Sequence, residues 1–274
     1  MISFFANLFG YVLNFLYQLI HNYGLAIILF SIVLKVVMLP ISIKQQKTMK
    51  KSAKIQAKMR EIQDKYKNNP EKLNQETIEL YKREKMSPFS GCLSAIIQII
   101  LLFAVFYLVR SPLTYMLKVE PALVEQYTNE IKEQEEHKND PYPEIAIIKE
   151  KGQTDDRVNI NMEFIGLDLS SVPSQNVSDF RVYVIPALYV LTSFVSMRMT
   201  TSMQAKKKDG EGTSDEMDAV AQANKSMSYI MPIMSVSIAI IAPLGLALYW
   251  LVNNILMIVE RLILNKLIKD EEEE

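Results

Sequence analysis

The chain has 274 residues, 30 Lys+Arg against 31 Asp+Glu, two His and one Cys. The near-zero net charge hides a sorting by position: 44–85 carries 13 basic and 6 acidic residues, whereas 111–180 carries 6 basic and 14 acidic. One Cys excludes an intramolecular disulfide framework or a multi-cysteine zinc site, and His21 and His137 are too far apart in sequence to suggest a metal cluster. With 8 glycines there is no glycine-rich phosphate cradle, and apolar runs near 20 residues argue against a soluble enzyme.

Residues 1–20 carry no charge. Ser3, Asn7, Tyr11, Asn14 and Gln18 fall within about 80° of arc at 100° per residue. A narrow polar stripe on an apolar helix predicts an amphipathic helix lying in the membrane interface, residues 1–21. A spanning helix or signal anchor is the plainer alternative, and no basic n-region or small-residue cleavage site is evident.

Residues 22–43 form the first predicted transmembrane helix, with one internal charge, Lys35. Lys35 lies about 13 Å inside the end marked by Lys44, at ~1.5 Å rise per residue. A lysine near the centre of a span costs roughly 2.5–3.5 kcal/mol on insertion scales. Snorkelling is one account of it; a wet cavity facing Lys35 is the account that suits its depth.

Residues 44–87 are too charged to span. Ile55, Met59, Ile62 and Tyr66 recur at helical spacing, Asn69 can cap a second helix and Pro70 suits its first position. The prediction is a basic antiparallel helical hairpin outside the membrane. Residues 88–110 form a second span, with Gln98 its central polar residue. Residues 111–180 are an acidic excursion: a charged helix is expected over Pro121–His137, then irregular chain to Gln175 with short strands around Val158–Leu169. A third span covers 181–199, where Thr192, Ser193 and Ser196 are polar positions. A polar loop follows over 200–226.

Residues 226–259 hold no charge. At ~1.5 Å per residue a single helix would reach about 51 Å, too long for one span. Pro243-Leu244-Gly245 is a turn signal, so two spans are predicted, 227–243 and 244–264, followed by an acidic tail over 265–274. Tyr249 and Trp250 sit just after the turn. No acidic residue is expected to lie within the spans, the last pair being read from the uncharged run that ends at Val259. Lys/Arg asymmetry puts the hairpin and the 200–226 loop in the cytoplasm and the acidic loop outside; five spans then place the N-terminus outside and the tail inside.

NYGLAIILFSIVLKVVMLPISIKQQ over 22–46 resembles the first core span of the YidC family of membrane protein insertases, bacterial relatives of the mitochondrial oxidase-assembly and chloroplast insertases. KMREIQDKYKNNPEKLNQETIELYKRE looks like that family's cytoplasmic hairpin and SPFSGCLSAIIQIILLFAVFYLV like its second core span. FIGLDLS resembles a stretch before its third span, and YIMPIMSVSIAIIAPLGLALYWLVNN is similar to its final pair of spans. The matches lie in order from residue 22 to about 265.

The resemblance implies an all-α polytopic membrane protein: five transmembrane helices around a hydrophilic groove, with the interfacial helix and the hairpin outside the bilayer. It implies an insertase and chaperone, not an enzyme, that receives nascent membrane proteins in a cationic groove and releases their apolar segments into the bilayer of the bacterial plasma membrane. The family's groove arginine falls on Lys35, which keeps the charge but loses the bidentate fork. Gln98, Thr192, Ser196 and Trp250 complete the expected groove set, with Ser196 near a position often occupied by glutamine. Lys54, Lys58, Arg60 and Lys65 of the hairpin are the expected residues for capturing clients or partners. Expected partners are nascent membrane proteins and membrane lipids, with the general secretion channel and the ribosome as further candidates; no cofactor, metal or specific nucleic-acid recognition is expected. The acidic tail departs from the basic one through which many relatives are thought to touch the ribosome. A small transporter or channel with an intramembrane cationic site is the alternative reading.

Overall fold

The computed structural model describes residues 1–67, 69–84, 90–134, 137–205 and 237–273. Helix α1 spans Ile2–Ile20 and ends because His21 adopts a left-handed conformation, φ 53°. Asn22 then caps α2, its side chain accepting from the Leu25 N–H as an N-cap Asn should. Helix α2 runs unbroken over Tyr23–Tyr66, about 66 Å at 1.5 Å per residue. That is twice the hydrocarbon thickness of a bilayer, so one rod supplies both an apolar segment, Tyr23–Thr48, and a charged extension. The extension folds back on α3 (Pro70–Arg83), whose N-terminus is set by the Asn69 cap and by Pro70 in the first turn.

Helix α4 covers Ser90–Arg110, and α7 covers Val184–Ala205. A helical stretch at 237–241 stops at Ala242 and Pro243, and α8 runs over Leu244–Glu273. Much of the predicted fourth span, 227–243, and most of the predicted loop 200–226 lie outside the described residues. Four described segments are long and apolar enough to cross a membrane: Ile2–Ile20, Tyr23–Thr48, Phe180–Met199 and Leu244–Leu264. Only 22–33% of the most apolar 18 residues of each is buried. Val36, Val37, Leu191 and Phe194 are among the large apolar residues left exposed. Apolar faces of that extent need lipid or protein cover.

The acidic segment is more ordered than the sequence reading allowed. A π-helical turn over Leu113–Leu117 follows α4, then α5 over Pro121–Lys132 and α6 over Pro143–Lys151. The segment expected to be irregular therefore contains a helix. Ile145, Ala146, Ile147 and Ile148 are all buried, so α6 shows no amphipathic stripe for a periodicity search to detect. Strands β1 (Glu163–Phe164) and β2 (Leu167–Asp168) pair antiparallel inside the interval where strands were expected. Ile165 and Gly166 both have positive φ, 52° and 72°, as a two-residue I′ hairpin requires.

This segment gathers the helix ends. The Tyr23 N–H bonds the Asn161 carbonyl, and the Asn22 side chain bonds that of Glu163. Leu244 N–H and Gly245 N–H bond the carbonyls of Ser171 and Leu169. Helices α2 and α8 thus start at one platform and run side by side in the same direction, while the α2–α3 hairpin lies at the far end. A Cβ on Gly24 would come within 2.5 Å of the Phe164 ring, so the platform seats directly on α2. Glu144 bolts α6 to the turn after α4. Its carboxylate accepts from the Thr114 N–H at 3.0 Å and the Thr114 hydroxyl at 2.6 Å. Burial pushes the Glu144 carboxyl above its ordinary range, against the pull of those hydrogen bonds.

In α1 the buried residues Ala6, Phe9, Gly10, Leu13 and Tyr17 cover about 100° of arc beside the polar stripe. Gly10 is required by contact, since a Cβ there would meet the Tyr115 carbonyl oxygen at 1.8 Å. On the stripe, Asn7 accepts from the Lys118 ammonium, which also lies 4.7 Å over the Tyr11 ring.

Candidate functional site

Two polar features lie on different faces of α8. The first is an ion pair: Lys35 Nζ lies 2.6 Å from Glu260 Oε2. The platform explains the register. Lys35 is 12 residues past Tyr23 and Glu260 is 16 past Leu244, about 18 and 24 Å along parallel helices at 1.5 Å per residue. The lysine stem spans the difference. The lysine side chain keeps 23% exposure and the glutamate 10%. Glu260 Oε1 is buried without a hydrogen-bond partner among the described residues.

This corrects the expectation that the spans hold no acidic residue. The uncharged run stops at Val259, but the helix does not. Glu260 is inside the apolar segment Leu244–Leu264. It also changes the expected surroundings of Lys35, which faces a carboxylate. Ionisable groups in spans tend to pair with one another. That tendency was the signal available in the sequence: a lone cation in one apolar helix and the first charge after a long uncharged run in another.

The second feature joins α7 to α8. Asn254, 7% exposed, donates to Ser193 Oγ at 2.9 Å and Thr192 Oγ1 at 3.2 Å. The Thr192 hydroxyl donates in turn to the Tyr189 carbonyl. One turn before Asn254, Trp250 lies against Tyr189 with ring centroids 5.8 Å apart, and its indole N–H is buried without a partner among the described residues. Ser196 is buried on the same helix as Thr192. Of the expected groove set, then, Thr192, Ser196 and Trp250 belong to α7 and α8, and Asn254 is the residue of this contact that sequence reasoning missed. Lys35 meets α8 about 120° around from Asn254, at 100° per residue. Gln98 is on α4, and its side chain lies outside the described set.

In the hairpin, Lys58 pairs with Glu84 at 2.6 Å, and Lys65 lies 5.4 Å over the Tyr66 ring. The hydrogen bond from Lys58 holds the Glu84 carboxyl below its ordinary range. Ile55 and Leu80 are buried between the two helices, and Thr77 donates to the Met59 sulfur. The side chains of Lys54 and Arg60 lie outside the described set.

Residues 15–272 match the family described as the 60Kd inner membrane protein. The chain belongs to this family. Relatives named membrane protein insertase YidC include one from Syntrophobacter fumaroxidans, 30% identical over 96% of this chain and 38% of its own length. Another, from Chlorobaculum parvum, is 28% identical over 95% of this chain and 36% of its own. The Fusobacterium nucleatum relative is 26% identical, with 94% of this chain and 93% of its own length covered. The chain thus spans little more than a third of the first two and nearly all of the third. Family and helices together make it an all-α multi-pass membrane protein of bacterial type.

Proposed function

We propose that the chain is a membrane protein insertase that receives nascent membrane proteins beside Lys35 and passes their apolar segments sideways into lipid. The observation that carries this is a partly exposed lysine midway along an apolar helix, paired to α8, whose other face bonds through Asn254 to Thr192 and Ser193 of α7. The names of the relatives support the same reading. A span entering a bilayer must bring its polar flank through hydrocarbon, where each unsatisfied group costs several kcal/mol. A polar path partway across, lined by Lys35, Gln98, Thr192, Ser196 and Trp250, shortens that route, and a fixed cation attracts an acidic flank. Burial of the client's apolar segment drives the rest. Outward movement of an acidic flank gains roughly 2.3 kcal/mol per charge per 100 mV of inside-negative potential. The step is binding and partition, with no bond made or broken.

In this reading five transmembrane helices surround a groove open to cytoplasm and lipid, and α1 lies in the outer interface. The N-terminus and the acidic segment are outside, and the hairpin and tail are cytoplasmic, in the sense the Lys/Arg distribution favours. The hairpin captures clients or partners through Lys54, Lys58, Arg60 and Lys65. The ribosome and the general secretion channel are candidate partners in delivery.

Photo-crosslinking from positions flanking Lys35 to a stalled single-span nascent protein tests this. Crosslinks that appear with client length and vanish on release are expected; their absence at every length would remove the insertase reading. Glu260 gives the second reading, a small ion or solute carrier, its one specific support, because an intramembrane Lys–Glu pair is also what such a protein uses. Flux through the purified protein in liposomes would favour it.

A further inference from the structure

The ion pair raises a question about the proposed groove. A cation meant to attract an acidic flank already holds a carboxylate of its own chain at 2.6 Å. We propose that Glu260 is a specificity-determining residue: a built-in competitor that an acidic client group must displace from Lys35. The proposal rests on the insertase reading and adds to it a rule for which flanks are favoured.

Three observations carry it. First, the pair is asymmetric in access. The Lys35 side chain keeps 23% exposure and that of Glu260 10%, so of the two partners the lysine is the more open to an arriving group. An ammonium has three donors and no acceptor, which lets it hold a second carboxylate during exchange. Second, Glu260 is incompletely satisfied: Oε1 is buried with no partner among the described residues. A buried carboxylate with one bare oxygen is a poor final state, so the pair with Lys35 leaves part of the carboxylate's hydrogen-bonding capacity unmet. Third, the position is fixed by backbone. Both helices start from the same platform, through the bonds of Tyr23 to Asn161 and of Leu244 to Ser171, so the register that brings the two side chains together is set at the platform.

The physical consequence is selectivity by subtraction. A bare cation in a low-dielectric site would attract any acidic flank strongly. A pre-paired one favours only a flank that outcompetes Glu260, and it leaves neutral flanks little affected. Removing the competitor while keeping the side-chain shape should therefore change the ratio between flanks.

The test compares two single-span clients that differ only in Asp or Asn at the translocated flank. They are inserted into proteoliposomes carrying equal amounts of the parent, Glu260→Gln, Glu260→Asp or Lys35→Gln/Glu260→Gln. Glu260→Gln should raise the Asp/Asn insertion ratio several-fold, Glu260→Asp should stay near the parent, and the double variant should lose the preference. Because the ratio is taken within each variant, partial loss of folded protein does not move it. An unchanged ratio in Glu260→Gln, or an equal fall for both clients, would overturn the proposal and leave Glu260 a structural brace. A parent that inserts neither client would refute the insertase reading instead. In that case, binding of the two single-span peptides to protein in nanodiscs, read from the single Trp250, decides about the pair. Tighter Asp-peptide binding by Glu260→Gln alone supports it, and identical binding by all variants overturns it.

Discussion

Two lysine–glutamate pairs in this chain have the same nitrogen–oxygen separation, 2.6 Å, in opposite settings. Lys35–Glu260 joins two apolar helices, with side chains 23% and 10% exposed. Lys58–Glu84 joins the two helices of the basic hairpin, with side chains 51% and 24% exposed. Geometry alone would rank them equal. In the hairpin, water screens both charges and competes for each, so the pair adds little. Between α2 and α8 each charge has lost much of its hydration, so the pair need not be net stabilising, but losing one partner leaves the other uncompensated. The difference lies in what happens on breaking the pair.

The largest expected effect follows directly. Lys35→Met should destabilise the α2–α8 contact at the lower end of the roughly 3–5 kcal/mol typical of broken buried pairs, because Lys35 keeps part of its hydration. Adding Glu260→Gln should restore much of that loss. Thermal unfolding in nanodiscs measures both. If the double variant is no more stable than Lys35→Met alone, the two residues do not behave as a desolvated pair.

Next is Asn254, which carries both hydrogen bonds from α8 to α7 described for this contact. Asn254→Leu leaves the Ser193 and Thr192 hydroxyls without that donor in an apolar interface, an expected loss of about 1–3 kcal/mol. Thr192→Val combined with Asn254→Leu should cost less than the sum of the single changes. Strict additivity in a double-mutant cycle would mean the contact carries no coupling.

What the sequence made legible follows from what carries a local signal. The Asn69-Pro70 cap depends on two adjacent residues, and the structure has it. The turn signal Pro243-Leu244-Gly245 is likewise local, and the helix breaks at its first residue, between 241 and 244. Lys35 stood out because a charge in an apolar run is anomalous wherever it points. Glu260 escaped because it follows an uncharged run that ends at Val259; the apolar helix continues past that run, and its register against α2 gives Glu260 its partner. Asn254 escaped for a related reason: its role is a cross-helix bond, and nothing within α8 alone distinguishes it from Asn253. Helix α6 was missed because it is buried on several sides. Local grammar was readable; partnership across helices was not.

The platform offers a comparison by pH. Burial raises the Glu144 carboxyl from its ordinary value of 4.5, so the native state binds its proton more tightly than the unfolded chain does. Its contribution is therefore fully present below about pH 4.5 and is lost as pH rises through the raised native value. Hydrogen exchange of the 111–151 amides should show this segment loosening over that window in the parent and not in Glu144→Gln. A flat parent profile would mean that the Thr114 hydrogen bonds outweigh the burial.

The smallest effect belongs to the hairpin, and its sign is the reverse. Lys58 holds the Glu84 carboxyl below 4.5, chiefly through their hydrogen bond and charge attraction. The native state thus releases this proton more readily than the unfolded chain does. The contribution is present above about pH 4.5 and is lost as pH falls through the depressed native value. Because water reaches both side chains, Lys58→Met should barely move the thermal midpoint at neutral pH. Its effect should shrink further at low pH, where Glu84 is protonated, and at high salt, where exposed charges are screened. Ile55 and Leu80, 2% and 1% exposed, hold the hairpin by contact that neither acid nor salt removes. If Lys58→Met instead cost as much as Lys35→Met, solvent exposure would not be what separates the two pairs.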